Sequence, residues 1–164
     1  MPATYESIAT TTISGTSTNQ VTFNSISGSY TDIVLVANFG VTTATANIYY
    51  RVNNDSGTNY SNTNLNGTGS SATSTRASSA NRIYADSGGS TTSVGSTLML
   101  QFMNYSNTTT NKTILARFGN ASYGVYAGVG LWRSTAAITR IDAYIDGHNF
   151  ADGSTLTLYG IKAA

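Results

Sequence analysis

Ile33–Phe39 reads IVLVANF. Seven residues are too few for a buried helix, and the run is rich in β-branched side chains, so it reads as a central strand covered on both faces. Gly28-Ser29 precedes it as a turn signal. Moving outward, Asn47–Val52 (NIYYRV) alternates Ile48, Tyr50 and Val52 against Asn47, Tyr49 and Arg51. This period of two belongs to a strand. The same period recurs in Gln20–Ile26, with Val21 and Phe23 on one face, and in Leu98–Asn104, with Leu98, Leu100 and Phe102. Thr113–Phe118 aligns Ile114, Ala116 and Phe118, and Ile138–Ile145 aligns Ile141, Ala143 and Ile145. Tyr123–Trp132 alternates Val125, Ala127, Val129 and Leu131 against Tyr126, Gly128, Gly130 and Trp132. Tyr5–Ile13 and Thr155–Lys162 open and close the chain as strands. Helix signals are weak throughout: Glu occurs once and Lys twice. The reading is an all-β fold: a two-sheet sandwich of jelly-roll type, or a related one, with eight or nine strands.

Polar turns separate these strands. Asn107–Asn111 (NTTTN) is a hairpin tip, and Asp146-Gly147 and Asp152-Gly153 are turn pairs that favour positive φ. The 164 residues fit one domain, 1–164, with residues 1–20 as a docking arm. Residues 53–97 differ from the rest. Their large apolar residues are few, and Gly67–Ser74 and Ser87–Ser96 are almost pure Gly, Ser and Thr. They read as a long polar insertion, ordered by a neighbouring subunit or holding a short strand near Asn81–Ala85.

Only 9% of residues are charged, against about 25% in ordinary domains. In their place stand 27 Thr, 21 Ser and 16 Asn. Such a surface can be buried against a partner without the desolvation cost of ions. The net charge is +1, and the arginines at 51, 76, 82, 117, 133 and 140 are scattered. A phosphate binder needs clustered cations, so nucleic acid is not an expected partner. No run approaches the roughly 20 apolar residues of a membrane helix. The start, MPATYESIATTT, has neither a basic nor an apolar signal region, so no secretory signal is expected. Disulfide and thiolate chemistry are excluded by the absence of Cys.

Catalytic signals are poor. His148 is the one histidine, in the turn-rich Asp146–Asn149, and no Gly-x-Ser-x-Gly elbow accompanies it. Asp32, Asp55, Asp146 and Asp152 sit at turns, where Asp is favoured for backbone reasons. Asp142 shares a strand face with Arg140, which suggests an ion pair or a solvent-facing pair. Asn53–Gly57 has calcium-ligand residue types without the spacing of a calcium loop. The N-x-S/T triplets at Asn104, Asn107 and Asn111 follow from composition. No enzyme activity, cofactor or metal is expected. Aromatics beside arginine are favoured at interfaces and in sugar-binding grooves. Candidate binding residues are therefore Trp132 and Arg133 at a strand end, with Asn54, Asp55 and Tyr60 in the polar loop.

The segments YTDIVLV (Tyr30–Val36), NDSGTNYS (Asn54–Ser61), MNYSNTTTNKT (Met103–Thr113), LWRSTAAI (Leu131–Ile138) and NFADGSTLTLYGIKA (Asn149–Ala163), with the start MPATYESIATTT, carry a resemblance. The chain resembles a family of small, β-rich virion structural proteins of tailed bacteriophages, of cyanophage and marine-phage type. The resemblance covers nearly the whole chain and contains no catalytic motif. It implies a place in the virion, on the capsid surface or in the tail. A capsid decoration (cement) protein would form homotrimers and bind the major capsid protein or other virion proteins, stabilising the assembled shell by mass action. The alternative is a receptor- or glycan-binding component of the tail fibre, with a glycan as a compatible ligand. A hydrolase is the least supported class.

Overall fold

The computed structural model of the protein describes residues 4–43, 46–85 and 95–162. Among these residues there is no helix, and twelve strands form two antiparallel sheets. In chain order they are β1 (Tyr5–Thr12), β2 (Gln20–Phe23), β3 (Asp32–Phe39), β4 (Ile48–Val52), β5 (Tyr60–Gly67), β6 (Ala72–Ala80), β7 (Ile83–Tyr84), β8 (Ser96–Phe102), β9 (Lys112–Asn120), β10 (Gly124–Trp132), β11 (Ile141–Ile145) and β12 (Thr155–Ile161). The larger sheet runs β1-β12-β3-β8-β9-β10-β5-β6, and the smaller runs β2-β11-β4-β7.

The all-β class agrees with the sequence reading. The IVLVANF run is β3, third in the larger sheet, with Leu35 paired to Leu158 of β12 and Leu100 of β8. Alternate residues of β3, β8 and β9 turn inward: Ile33, Leu35, Ala37 and Phe39; Leu98, Leu100 and Phe102; Ile114, Ala116 and Phe118. From the smaller sheet come Ile48, Tyr50 and Val52, with Ile141, Ala143 and Ile145. All of them join one buried cluster. Rings cross between the sheets, as where Tyr50 meets Phe102 edge-on at 5.8 Å between centroids. Gly130 of β10 permits this close approach. A Cβ there would lie 2.6 Å from Ile83 Cδ1 and 2.7 Å from the Tyr50 hydroxyl oxygen.

Two expectations need correction. The strand count is twelve among the described residues, not eight or nine. Most of the described part of 53–97 is strand rather than structureless insertion: β5 pairs with β10 along its length, β6 pairs with β5, and β7 joins β4. The apolar alternation that marks the other strands is absent here for two physical reasons. β5 turns asparagines inward and Leu65 outward, and β6 is exposed on both faces and buries almost nothing. Their β-branched threonines and the ladder hydrogen bonds carry the hairpin. Its turn, Thr68–Ser71, closes with Thr68 N–H donating to Ser71 O at 3.0 Å, and Gly69 supplies the required positive φ of 85°. Of the Ser87–Ser96 run, residues 87–94 lie outside the described residues, and Ser96 begins β8. The segment expected as an arm contributes β1, an edge strand paired with β12 and carrying a bulge between Ser7 and Ala9.

Five buried or half-buried tyrosines, at 49, 50, 60, 105 and 144, have their pKa raised, in each case chiefly by burial. A hydroxyl whose folded pKa exceeds its unfolded value of about 10 stabilises the fold fully below that pH. The contribution is lost as pH rises through the folded values. Lys112 works in the opposite sense. It is buried, its ammonium donates to Thr110 O at 2.7 Å and Thr135 O at 3.1 Å, and burial lowers its pKa. One lysine against five tyrosines leaves a net loss in alkali. The urea midpoint is therefore expected to fall steeply above about pH 10. Tyr50→Phe should flatten that fall, and because the Tyr50 hydroxyl is buried without a partner it should cost no more than about 1 kcal/mol at pH 7. A midpoint unchanged up to about pH 12 would contradict this account.

Candidate functional site

The five candidate binding residues converge on one place, the end of β10 against the loop before β5. Asn53 and Asn54 both adopt positive φ, 50° and 55°, which reverses the chain after β4. The Asn53 amide then pins the far loop: its Oδ1 accepts from Thr139 N–H (2.9 Å) and Arg140 N–H (3.1 Å), and its Nδ2 donates to Ala137 O (2.8 Å). Asp55 is the hub of the turn. Its Oδ1 accepts from Gly57 N–H at 2.8 Å, and its Oδ2 accepts from Asn59 Nδ2 at 2.9 Å and Trp132 Nε1 at 2.7 Å. Burial pushes the Asp55 carboxyl up, but these three donors outweigh it and hold the pKa below the ordinary value. Tyr60 lies wholly within the core and its hydroxyl donates to Asp55 O at 3.0 Å. Arg133 donates to Thr58 O at 3.0 Å, to Tyr60 O at 3.2 Å and to Ser61 Oγ.

Trp132 is only 3% exposed, and Asn54 stands outside on the turn. The knot thus spends its polar atoms on closing the loop over the core.

The remaining acids are occupied in the same way. Asp142 is buried beside Thr22 Oγ1 (2.6 Å) and Gln20 Nε2 (3.1 Å), in a bidentate pair with Arg140. The expected ion pair between Asp142 and Arg140 is present. Asp146 pairs with Arg82 at 2.8 Å, Asp152 accepts from Gly15 N–H at 2.8 Å, and Asp32 accepts from Asn104 N–H at 2.7 Å. Glu6 pairs with Lys162 at 2.9 Å. His148 Nδ1 lies 2.7 Å from Thr43 Oγ1. Among the described residues no three His, Cys, Asp or Glu side chains group as a metal site would require. The sequence places Asp86 outside the described residues.

Two surfaces remain, on opposite sides of the same strands. The outward face of β8, β9, β10 and β5 exposes Met99, Leu115, Val125, Val129 and Leu65, the last two by 42% and 57%. Register sets them side by side: Val129 is opposite Leu115, and Ala127 lies between Leu65 and Arg117. Arg117 is the one charged residue these four strands turn outward, since Lys112 points in. On the inward side, β5 presents Asn62 and Asn64 to a hollow of about 370 Å³, roofed by Thr75, Arg76 and Ala77 of β6 and walled by Tyr84 of β7. Sequence reasoning missed both surfaces. The signal lay in Tyr60–Gly67, YSNTNLNG, where the alternation carries amides on the face that holds apolar groups elsewhere.

No protein-family model, no curated protein and no solved structure matches the chain.

Removing Trp132 tests the knot. Trp132→Ala is expected to cost roughly 3–5 kcal/mol through the lost ring. Trp132→Phe keeps most of the ring but removes one of the three donors to the Asp55 carboxylate, for roughly 1–3 kcal/mol. Because the Asp55 pKa is depressed, its share is present above pH 4 or so and disappears as pH falls through the folded value. The Trp132→Phe deficit should therefore shrink in acid. Urea denaturation at about pH 7 and about pH 3 measures it; an equal deficit at both would remove Asp55 from the account.

Proposed function

We propose that the protein is a structural component of a tailed-phage virion, a decoration (cement) protein that binds the assembled capsid as a homotrimer and has no catalytic role. The observation that carries this reading is the outward face of β5, β8, β9 and β10. Exposed sheet faces are ordinarily polar, and a contiguous apolar patch marks an interaction surface. Here five large apolar side chains share a face with a single charge. A partner covering that face removes apolar area from water and has few ions to pair, Arg117 chief among them. The major capsid protein and a second copy of the chain are the partners the reading names.

Three further features support it. The strand order is one. Without the hairpins β5–β6 and β9–β10, it reduces to β1-β12-β3-β8 facing β2-β11-β4-β7. That reduced arrangement of eight strands in two sheets supports a jelly-roll reading, an architecture that recurs in viral capsid and lectin domains. The resemblance to phage virion proteins supplies the setting. The third feature is the engagement of every described carboxylate in a structural contact, which leaves none unused as a general acid or base. The second reading, a receptor- or glycan-binding tail-fibre component, is favoured by the amide-lined hollow under β6.

Copy number in the particle separates the two. A count close to that of the major capsid protein fits decoration, whereas a few copies fit the tail. For the surface itself, Val125→Lys with Val129→Lys places two charges on exposed sites. Folding stability should move by no more than about 0.5 kcal/mol per site, while co-sedimentation with undecorated capsids should be lost. Capsid binding that survives both charges would remove this face as the docking surface.

A further inference from the structure

Asn62 and Asn64 are 4% and 7% exposed. They lie on the inward face of β5, opposite Gly130 and Gly128 of β10. The Oδ1 atoms of both asparagines are buried without a hydrogen-bond partner. Asn64 Nδ2 is held only weakly by Thr75 Oγ1, at 3.5 Å, the limit of a hydrogen bond. Both side chains line the hollow of about 370 Å³, within the usual range of roughly 300–1,000 Å³ for small-molecule sites. Gly128 leaves room for the Asn64 amide itself, since a Cβ there would stand 2.9 Å from Asn64 Oδ1 and 3.0 Å from the Tyr126 hydroxyl and would displace that side chain. That hydroxyl donates to Tyr84 O at 3.1 Å, so the Tyr84 wall is fixed to β10.

An unmatched buried amide opposes folding, and leucines at both positions would have extended the core. Retaining two such amides side by side on the wall of a hollow is the pattern of a polar site awaiting its ligand. The chemistry of the lining narrows the class. The unpaired atoms are acceptors, which disfavours an anion, and no carboxylate lines the hollow to hold a cation. A hydroxyl group suits both ends of an amide: it donates to Oδ1 and accepts from Nδ2, so either rotamer of Asn62 or Asn64 is satisfied. Tyr84 offers an aromatic wall for an apolar ring face. We propose that the hollow under the β5–β6 hairpin binds a neutral pyranose residue through the side chains of Asn62 and Asn64. The ligand class is shared with the tail-fibre reading, but the site does not depend on it, because a decoration protein can carry a sugar site equally well.

The test is a nuclear magnetic resonance titration of isotope-labelled full-length protein. The probes are methyl pyranosides of glucose, galactose, mannose, fucose and N-acetylglucosamine, each taken to about 10 mM to reach weak millimolar binders. The side-chain amide signals of Asn62 and Asn64 are expected to shift and saturate with at least one glycoside. Asn62→Leu with Asn64→Leu should abolish that binding while melting at the same temperature as the parent or higher. Gly128→Ala should weaken it by about tenfold or more. The proposal fails if no glycoside moves the two amide signals of the unmodified protein. It also fails if glycerol moves them equally, or if binding survives the paired leucine substitution. The first of these outcomes needs no variant, so a misfolded mutant leaves the decision intact. Particle copy number and capsid co-sedimentation are separate measurements, so the virion reading and the sugar site can fail independently.

Discussion

The structure depends on a mismatch in width: a sheet of eight strands is packed against a sheet of four. The smaller sheet carries the apolar residues that cover β3, β8 and β9, and there the interior is ordinary hydrocarbon. Toward β5 and β6 the covering runs out. β7 has only two residues, Ile83 and Tyr84, and β6 is exposed almost throughout. An inward position there gains less from leucine or valine than one covered by the smaller sheet. This is where glycine and asparagine appear, as Gly128 and Gly130 on β10 and Asn62 and Asn64 on β5. The knot of Asp55, Trp132, Tyr60 and Arg133 closes the same end of the hairpin. It holds β5 in register at the point where hydrophobic packing is weakest.

Polarity is consequently inverted along β5 and β10. Their outward residues include Leu65, Val125, Val129 and Leu131, and their inward ones include Asn62, Asn64 and the two glycines. Isolated in water, such a hairpin has reason to twist so as to hide its apolar side. Pairing to β9 on one flank, and the Tyr126–Tyr84 and Gly130–Ile83 contacts across the interior, prevent it. An inversion held this firmly, on a chain with a net charge of +1 and 9% charged residues, favours burial of the outward side by another subunit. The hydroxyl- and amide-rich remainder of the surface can follow it into an interface at little ionic cost.

Nine of the twelve strands were legible, most because an inward apolar face prints its period on the sequence, and β10 because its apolar period lies on the outward side. IVLVANF is the plainest case, since β3 is paired on both sides and carries apolar residues on both faces. β5 and β6 were not legible for the complementary reason: a strand that buries amides, or nothing, has no apolar period to print. The candidate residues Trp132, Arg133, Asn54, Asp55 and Tyr60 lie far apart in sequence and yet meet at one loop. Aromatic and turn chemistry identified them, but only the pairing of β5 with β10 shows Trp132, Asp55, Tyr60 and Arg133 hydrogen-bonded to one another's segments, with Asn54 left outside. The amide cradle was readable in principle in YSNTNLNG, as a strict alternation with its polarity reversed.

One strand pair therefore serves both surfaces, and the period of two keeps them chemically independent. Val129 and Gly128 are neighbours in sequence yet face opposite sides of the sheet: one joins the apolar face and the other leaves room for the Asn64 amide. Bulk added outward at 129 leaves the Asn64 cradle untouched, whereas a single Cβ inward at 128 presses on the Asn64 side chain. Sliding β10 by one residue would exchange the two sets, turning valines into the hollow and opening the amides to water. The register fixed by the Trp132–Asp55 bond and by the β9 pairing is thus what keeps a docking face and a polar cavity apart on a hairpin only two strands deep.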